Sequence, residues 1–242
     1  MVPNSAADVK ALGGKEQIMD LHERGWIMYN GADIQKEREP MRFTNRDFPD
    51  DPNFDPAAAG YRQLKEPVSM TRAGQIILPC LFVMVLAVQL VAWATGFDFT
   101  LAFTLRGMLW WIVAAVVNTL LHEFAHTLAY PGGPFSERVV YSMSMRSKVF
   151  CAHYLGDMGR GRTLFALLAP YIIITPICLG LLFLFPACRF WYSLATLNAI
   201  ASCVDALNFL MVMRHAPRNA VLRNHGPHTY WREGTAPDSL GM

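Results

Sequence analysis

The chain predicts an all-α membrane protein: four transmembrane helices, a short cytoplasmic β-hairpin and a largely irregular N-terminal segment. Three observations predict it. Of 242 residues, 53% are hydrophobic and only 17% are charged, a balance too apolar for an ordinary soluble domain. The apolar residues concentrate after position 73 in four runs, each close to the ~20 residues that a bilayer-spanning helix needs. The basic residues near those runs gather on one side of them, as a membrane orientation requires.

Residues 1–73 hold 10 Lys and Arg against 12 Asp and Glu. They contain turn-forming stretches, Asp50-Asp51-Pro52-Asn53 and Asp55-Pro56, and one short candidate helix over 15–29. No early apolar run stands behind a basic start, so no cleavable signal is expected. A segment of this composition buries little core alone, and docking onto a protein partner is the expectation for it.

Residues 74–214 form the membrane domain, with spans over 76–95, 107–130, 164–185 and 190–213. Pro79, Pro170 and Pro176 lie in or near the spans, where membrane helices tolerate proline. Only Pro186 to Arg189 separate the last two spans, which predicts a tight helical hairpin. Between the second and third, residues 140–145 alternate, Arg146-Ser147-Lys148 reads as a turn, and 149–154 is β-prone. That predicts a hairpin over about 139–154, followed by a basic, glycine-containing re-entry into the third span. Residues 215–242 read as a polar tail. The five cysteines form no CxxC pair and read as buried small hydrophobes.

Arg62, Lys65 and Arg72 precede the first span. Arg138, Arg146, Lys148, Arg160 and Arg162 fill the middle connection, and Arg214, Arg218, Arg223 and Arg232 follow the fourth. The opposite side offers Arg106 and Arg189. Both termini and the middle loop are therefore expected in the cytoplasm. Because these basic residues set orientation in the bilayer, no nucleic-acid partner is expected.

The second span ends in Leu121-His122-Glu123-Phe124-Ala125-His126, the H-E-x-x-H pattern. Residues four apart share a helix face, so both imidazoles reach one ion while Glu123 projects beside it. Ionisable groups inside apolar spans are costly and point to function. Apart from the marginal Arg106 and Arg189, the four spans hold only His122, Glu123, His126 and Asp205 as acidic, basic or histidine residues. Catalytic zinc takes three protein ligands and keeps a position open to water. Asp205 is the expected third ligand, because it lies as far into the fourth span as His122 lies into the second, on a helix running the same way. Asn118, Asn198, Ser202 and Asn208 either orient ligands or bind substrate, or they join transmembrane helices. His153, in the hairpin, is the reserve ligand. The remaining histidines read as solvated surface residues.

With its transmembrane His122-Glu123-x-x-His126, the hairpin-like loop, Leu168-Ala169-Pro170 and Asp205, the region from about 105 to 210 resembles the site-2 protease class of intramembrane zinc metallopeptidases. More narrowly, it resembles the small bacterial membrane proteins known as putative zincin peptidases. The third ligand stands in Cys203-Val204-Asp205-Ala206-Leu207-Asn208, where site-2 proteases carry an N-P-D-G-like setting. The resemblance implies a Zn2+ cofactor, a bacterial inner membrane, Glu123 as general base, and a membrane protein or peptide as substrate. Two other classes compete. One is a non-catalytic metal-binding subunit of a larger membrane complex, docked through the N-terminal segment. The other is a diiron or haem oxidoreductase, for which the chain lacks the second E-x-x-H and any C-x-x-C-H.

Overall fold

The computed structural model describes residues 16–20, 26–30, 42–44, 51–65, 67, 69–143 and 150–234. The chain divides into two compact units, Met1–Pro40 and Met41–Met242. In the first, β1 (Glu16–Asp20) and β2 (Trp26–Asn30) pair antiparallel, with Glu16 opposite Asn30 and Asp20 opposite Trp26. This corrects the helix expected over 15–29. Trp26, Ile27 and Tyr29 favour extended backbone, and Gly25 interrupts a helix through the stretch.

The second unit is mostly helical. Four helices, α1 (Met70–Ala94), α2 (Leu105–Ala129), α3 (Arg160–Leu184) and α4 (Arg189–His215), are long and apolar enough to cross a membrane. They overlap the four expected spans, and the α3–α4 link is as short as the sequence implies. Ser69 caps α1 by accepting the N–H of Arg72, and Thr104 caps α2 by accepting that of Gly107. Gly107 has no substitute, because a Cβ there would lie 2.4 Å from the carbonyl oxygens of Leu101 and Ala102.

Small residues let the helices approach closely. Ala114 and Ala125 of α2, Cys178 of α3, and Ala195 and Ala199 of α4 are buried in one central cluster, the kind of packing that holds helices together where lipid removes the hydrophobic drive. Two hydrogen bonds tie polar side chains across the bundle: the Tyr192 hydroxyl donates to Gln89 Oε1 at 2.8 Å, and Arg189 Nε donates to the Leu101 carbonyl at 3.0 Å. The outer faces stay apolar, with Phe82, Trp93, Ile112, Val116 and Phe183 exposed. All five cysteines are free.

The hairpin expected between the second and third spans is present as β5 (Val139–Met143) and β6 (Phe150–Tyr154), with Tyr141 opposite Ala152. Its turn, with Arg146-Ser147-Lys148, lies outside the described residues. Gly132 and Gly133, at φ of +79° and +71°, turn the chain from α2 toward β5 through backbone conformations that other residues adopt at a cost. β3 (Arg42–Thr44) adds to β5 in parallel, giving the order β3-β5-β6 with β6 at the edge.

β8 (Ala220–His225) and β9 (His228–Glu233) form a second hairpin, flanked by β7 (Met158–Gly159) and β4 (Arg62–Gln63) in the order β4-β9-β8-β7. Chain preceding α1, chain joining α2 to α3 and chain following α4 therefore share one sheet. All three lie at one end of the helical bundle. Residues 51–65 are fastened there by the chain itself. Arg223 reaches Asp51 at 2.7 Å and Asp157 at 3.4 Å and stacks over Phe54 at 3.9 Å, while the Leu64 N–H donates to the Thr229 carbonyl.

Candidate metal centre

His122 and His126 sit one turn apart near the end of α2, both buried, with ring centroids 5.0 Å apart. The α2 C-terminus is anchored by Arg162, whose Nε donates to the Ala129 carbonyl at 3.1 Å, a cation against the negative end of the helix dipole. Three ligand atoms, one each from His122, Glu123 and His126, lie within 4.8 Å of one another, a group able to hold a metal ion.

Hydrogen bonds fix how each imidazole is turned. The carbonyl of residue 166 in a regular α-helix accepts from the N–H of residue 170, and that residue is Pro170, which has none. The Ala166 carbonyl instead accepts the Nδ1 proton of His126 at 2.8 Å. At His122, Nδ1 lies 3.0 Å from Asn198 Oδ1. The Asn198 amide nitrogen donates to the Pro170 carbonyl and to Thr175 Oγ1, both at 2.9 Å. That leaves its oxygen as the acceptor, so His122 too carries its proton on Nδ1.

Both Nε2 atoms then turn a lone pair toward Asp205, which α4 brings to the same depth. His122 Nε2 lies 3.1 Å from Asp205 Oδ2, and His126 Nε2 lies 3.6 Å from Oδ1. Acceptor facing acceptor at such distances requires a proton or a cation between them. A divalent ion meets the need once for both pairs. Two ligand atoms each ~2.0–2.1 Å from a tetrahedral zinc are roughly 3.3 Å apart, and the two observed separations bracket that figure. The donor set, two imidazole nitrogens and a carboxylate, is zinc's own kind.

Glu123 projects from the same turn toward β6. Its Oε2 accepts the Ala152 N–H at 2.7 Å, and the Tyr130 hydroxyl donates to the Ala152 carbonyl at 3.2 Å. Both hydrogen-bonding groups of Ala152 therefore point off the open edge of β6, into the side chains that end α2.

Among the other expected site residues, Asn198 is built into the centre. Asn118 and Ser202 are buried, and the Asn118 Oδ1 and Ser202 hydroxyl meet no hydrogen-bond partner among the described residues. Asn208 is half-buried on α4 and bonds neither imidazole. His153 stands on β6 outside the His122, Glu123, His126 group, and burial pushes its imidazole down to about 4. Residue-type reasoning missed four contributors: the Ala166 carbonyl, Thr175, the Ala152 N–H and Tyr130. Two of these are backbone groups without a residue signature, and only Pro170 advertised the first.

No curated protein and no solved structure matches the chain. Across residues 113–221, from within α2 into β8, the chain matches the family described as putative zincin peptidase, and that stretch contains every residue of the centre. This match and the His-Glu-x-x-His cluster together suggest a zinc peptidase.

Proposed function

We propose that this protein is an intramembrane zinc metallopeptidase that hydrolyses peptide bonds of membrane-associated substrates. One observation carries the reading: two buried imidazoles turn their Nε2 atoms toward one carboxylate, with a second carboxylate, Glu123, on the same turn of α2. His122, His126 and Asp205 would hold the ion, and Glu123 is left over as the base.

Zinc bound there supplies Lewis acidity, acidifying water and polarising a peptide carbonyl. Glu123 takes the water's proton and returns it to the leaving amine, the two-way role of a general acid–base. Asn198 and the Ala166 carbonyl keep both imidazoles aligned throughout. The substrate must present extended backbone, because a helical one keeps its carbonyls bonded. The edge of β6 supports strand addition beside Glu123, where an incoming segment would take over the Ala152 N–H and carbonyl from Glu123 and Tyr130.

The helices' length and exposed apolar faces support integral membrane residence. The basic residues at the sheet-bearing end support a cytoplasmic location for both termini, and kinship with site-2 proteases, in a bacterial inner membrane, rests on the site residues. A protein partner would engage the N-terminal segment 1–73, of which residues 51–65 also pack on the chain's own C-terminal hairpin. Protection of that stretch from protease in native membranes, lost on purification, tests this.

The functional test compares wild type with Glu123→Gln for zinc content and for capture of membrane substrates. The variant is expected to keep one zinc per chain, lose cleavage and retain bound substrate. Stoichiometric zinc without Glu123-dependent cleavage would favour the non-catalytic metal-binding subunit instead.

A further inference from the structure

We infer that Pro170 is a positioning residue for the His126 imidazole of the centre, on a turn of α3 whose next carbonyl also holds Asn198 behind His122. The inference rests on the reading that His122 and His126 hold a divalent ion, and it concerns how one turn of α3 aims them. Two successive carbonyls on one face of that turn, of Ala166 and Pro170, are the acceptors. The first takes the Nδ1 proton of His126 at 2.8 Å, and the second takes the Asn198 amide at 2.9 Å, whose oxygen faces His122 Nδ1 at 3.0 Å.

The cause is covalent. Proline lacks the N–H that would close the 170-to-166 helix bond, so a carbonyl is left over in a buried, apolar stretch. An unpaired buried carbonyl is costly, and His126 supplies the missing proton. That interaction selects the tautomer with Nδ1 protonated and commits Nε2 to the ion. Ala166 and Ala169 are buried to 3% and 0% exposure. Their small side chains let α2 come close enough for an imidazole to reach the backbone directly.

Pro176 is a built-in control. It lies in the same helix and frees the carbonyl of residue 172, which no imidazole of the centre uses. A general effect of straightening α3 would follow from replacing either proline, whereas the positioning role belongs to Pro170 alone.

The test uses full-length protein in detergent, with Zn2+ itself as the probe. Zinc affinity is measured by competition with a chromophoric chelator, and the imidazole tautomers are read by 15N NMR on histidine-labelled chain. Pro170→Ala, which restores the N–H, is expected to bind zinc about 10- to 100-fold more weakly, the usual loss when a ligand's outer partner is removed. In the zinc-free protein its His126 should lose the Nδ1-protonated signature. Pro176→Ala should match wild type in both. Should the alanine variant fail to fold, Pro170→Gly restores the same N–H on a more pliable backbone and is read the same way. Wild-type zinc affinity in the Pro170 variants, or an equal loss in Pro176→Ala, would overturn the inference while leaving the metal reading intact. A wild-type chain that binds no zinc would overturn both.

Discussion

The Glu123 carboxylate accepts the backbone N–H of Ala152 at 2.7 Å, joining the proposed base on α2 to the open edge strand β6. Glutamine has the same reach and an acceptor oxygen, but it does not take up a proton. Glu123→Gln should therefore keep the wild-type unfolding temperature and zinc content while turnover falls by about 10²- to 10⁴-fold, the usual worth of a general base. Glu123→Ala should lose turnover and also about 1–2 kcal/mol of stability, since it leaves the Ala152 N–H unpaired. Thermal unfolding measured beside turnover separates the two losses.

Tyr130 occupies the carbonyl of the same strand residue. An incoming substrate strand needs that carbonyl for its own N–H, so the phenol competes with substrate. Tyr130→Phe is expected to lower KM several-fold with kcat within about twofold, because it removes ground-state competition and touches no reacting atom. A raised KM in steady-state assays would show that the hydroxyl helps binding.

Burial holds His153 neutral down to about pH 4, against an ordinary value of 6.5. In the unfolded chain it protonates near 6.5, so between about pH 4 and 6.5 the unfolded state binds more protons. Stability contributed by this site is intact above pH 6.5 and declines as the pH falls through that window. Unfolding midpoints at pH 7 and pH 5 should drop less in His153→Gln than in wild type. Equal drops would assign the acid sensitivity to other groups.

Arg223 ties the segment before α1 to the sheet after α4, through Asp51, Asp157 and the Phe54 ring. These contacts are partly solvated, so their worth is modest, and Arg223→Ala should cost about 1–2 kcal/mol in total. The effect should concentrate on residues 51–65, seen as faster amide exchange there while α2 to α4 keep their protection. Uniform loss of protection would mean that the clasp supports the whole bundle.

Much of this site could be read from residue types. His122, Glu123 and His126 announced themselves because the helical period puts them on one face, and Asp205 because a carboxylate deep in an apolar span needs a compensating partner. The groups that aim those side chains were hidden, since a backbone carbonyl or N–H carries no letter in the sequence. Pro170 marked the freed carbonyl at Ala166, but nothing in the chain said which side chain would fill it. The second hairpin escaped because His225, Gly226, Pro227 and His228 dilute a short apolar stretch. There Ala220 and Leu222 are buried against residues from elsewhere in the chain, among them Leu64 and Val212, and local pattern does not report such partners. In the same way the pairing of β1 with β2 overrode a weak helical period over 15–29.

X-ray absorption at the zinc edge of purified, zinc-loaded protein tests the central claim most directly. One zinc per chain, in a nitrogen and oxygen shell near 2.0–2.1 Å with the scattering pattern of two imidazoles, is the predicted result. That signal should lose an oxygen scatterer in Asp205→Ala. A protein that takes up no zinc, a sulfur shell near 2.3 Å, or a spectrum unchanged by the Asp205 substitution would contradict a site built from His122, His126 and Asp205.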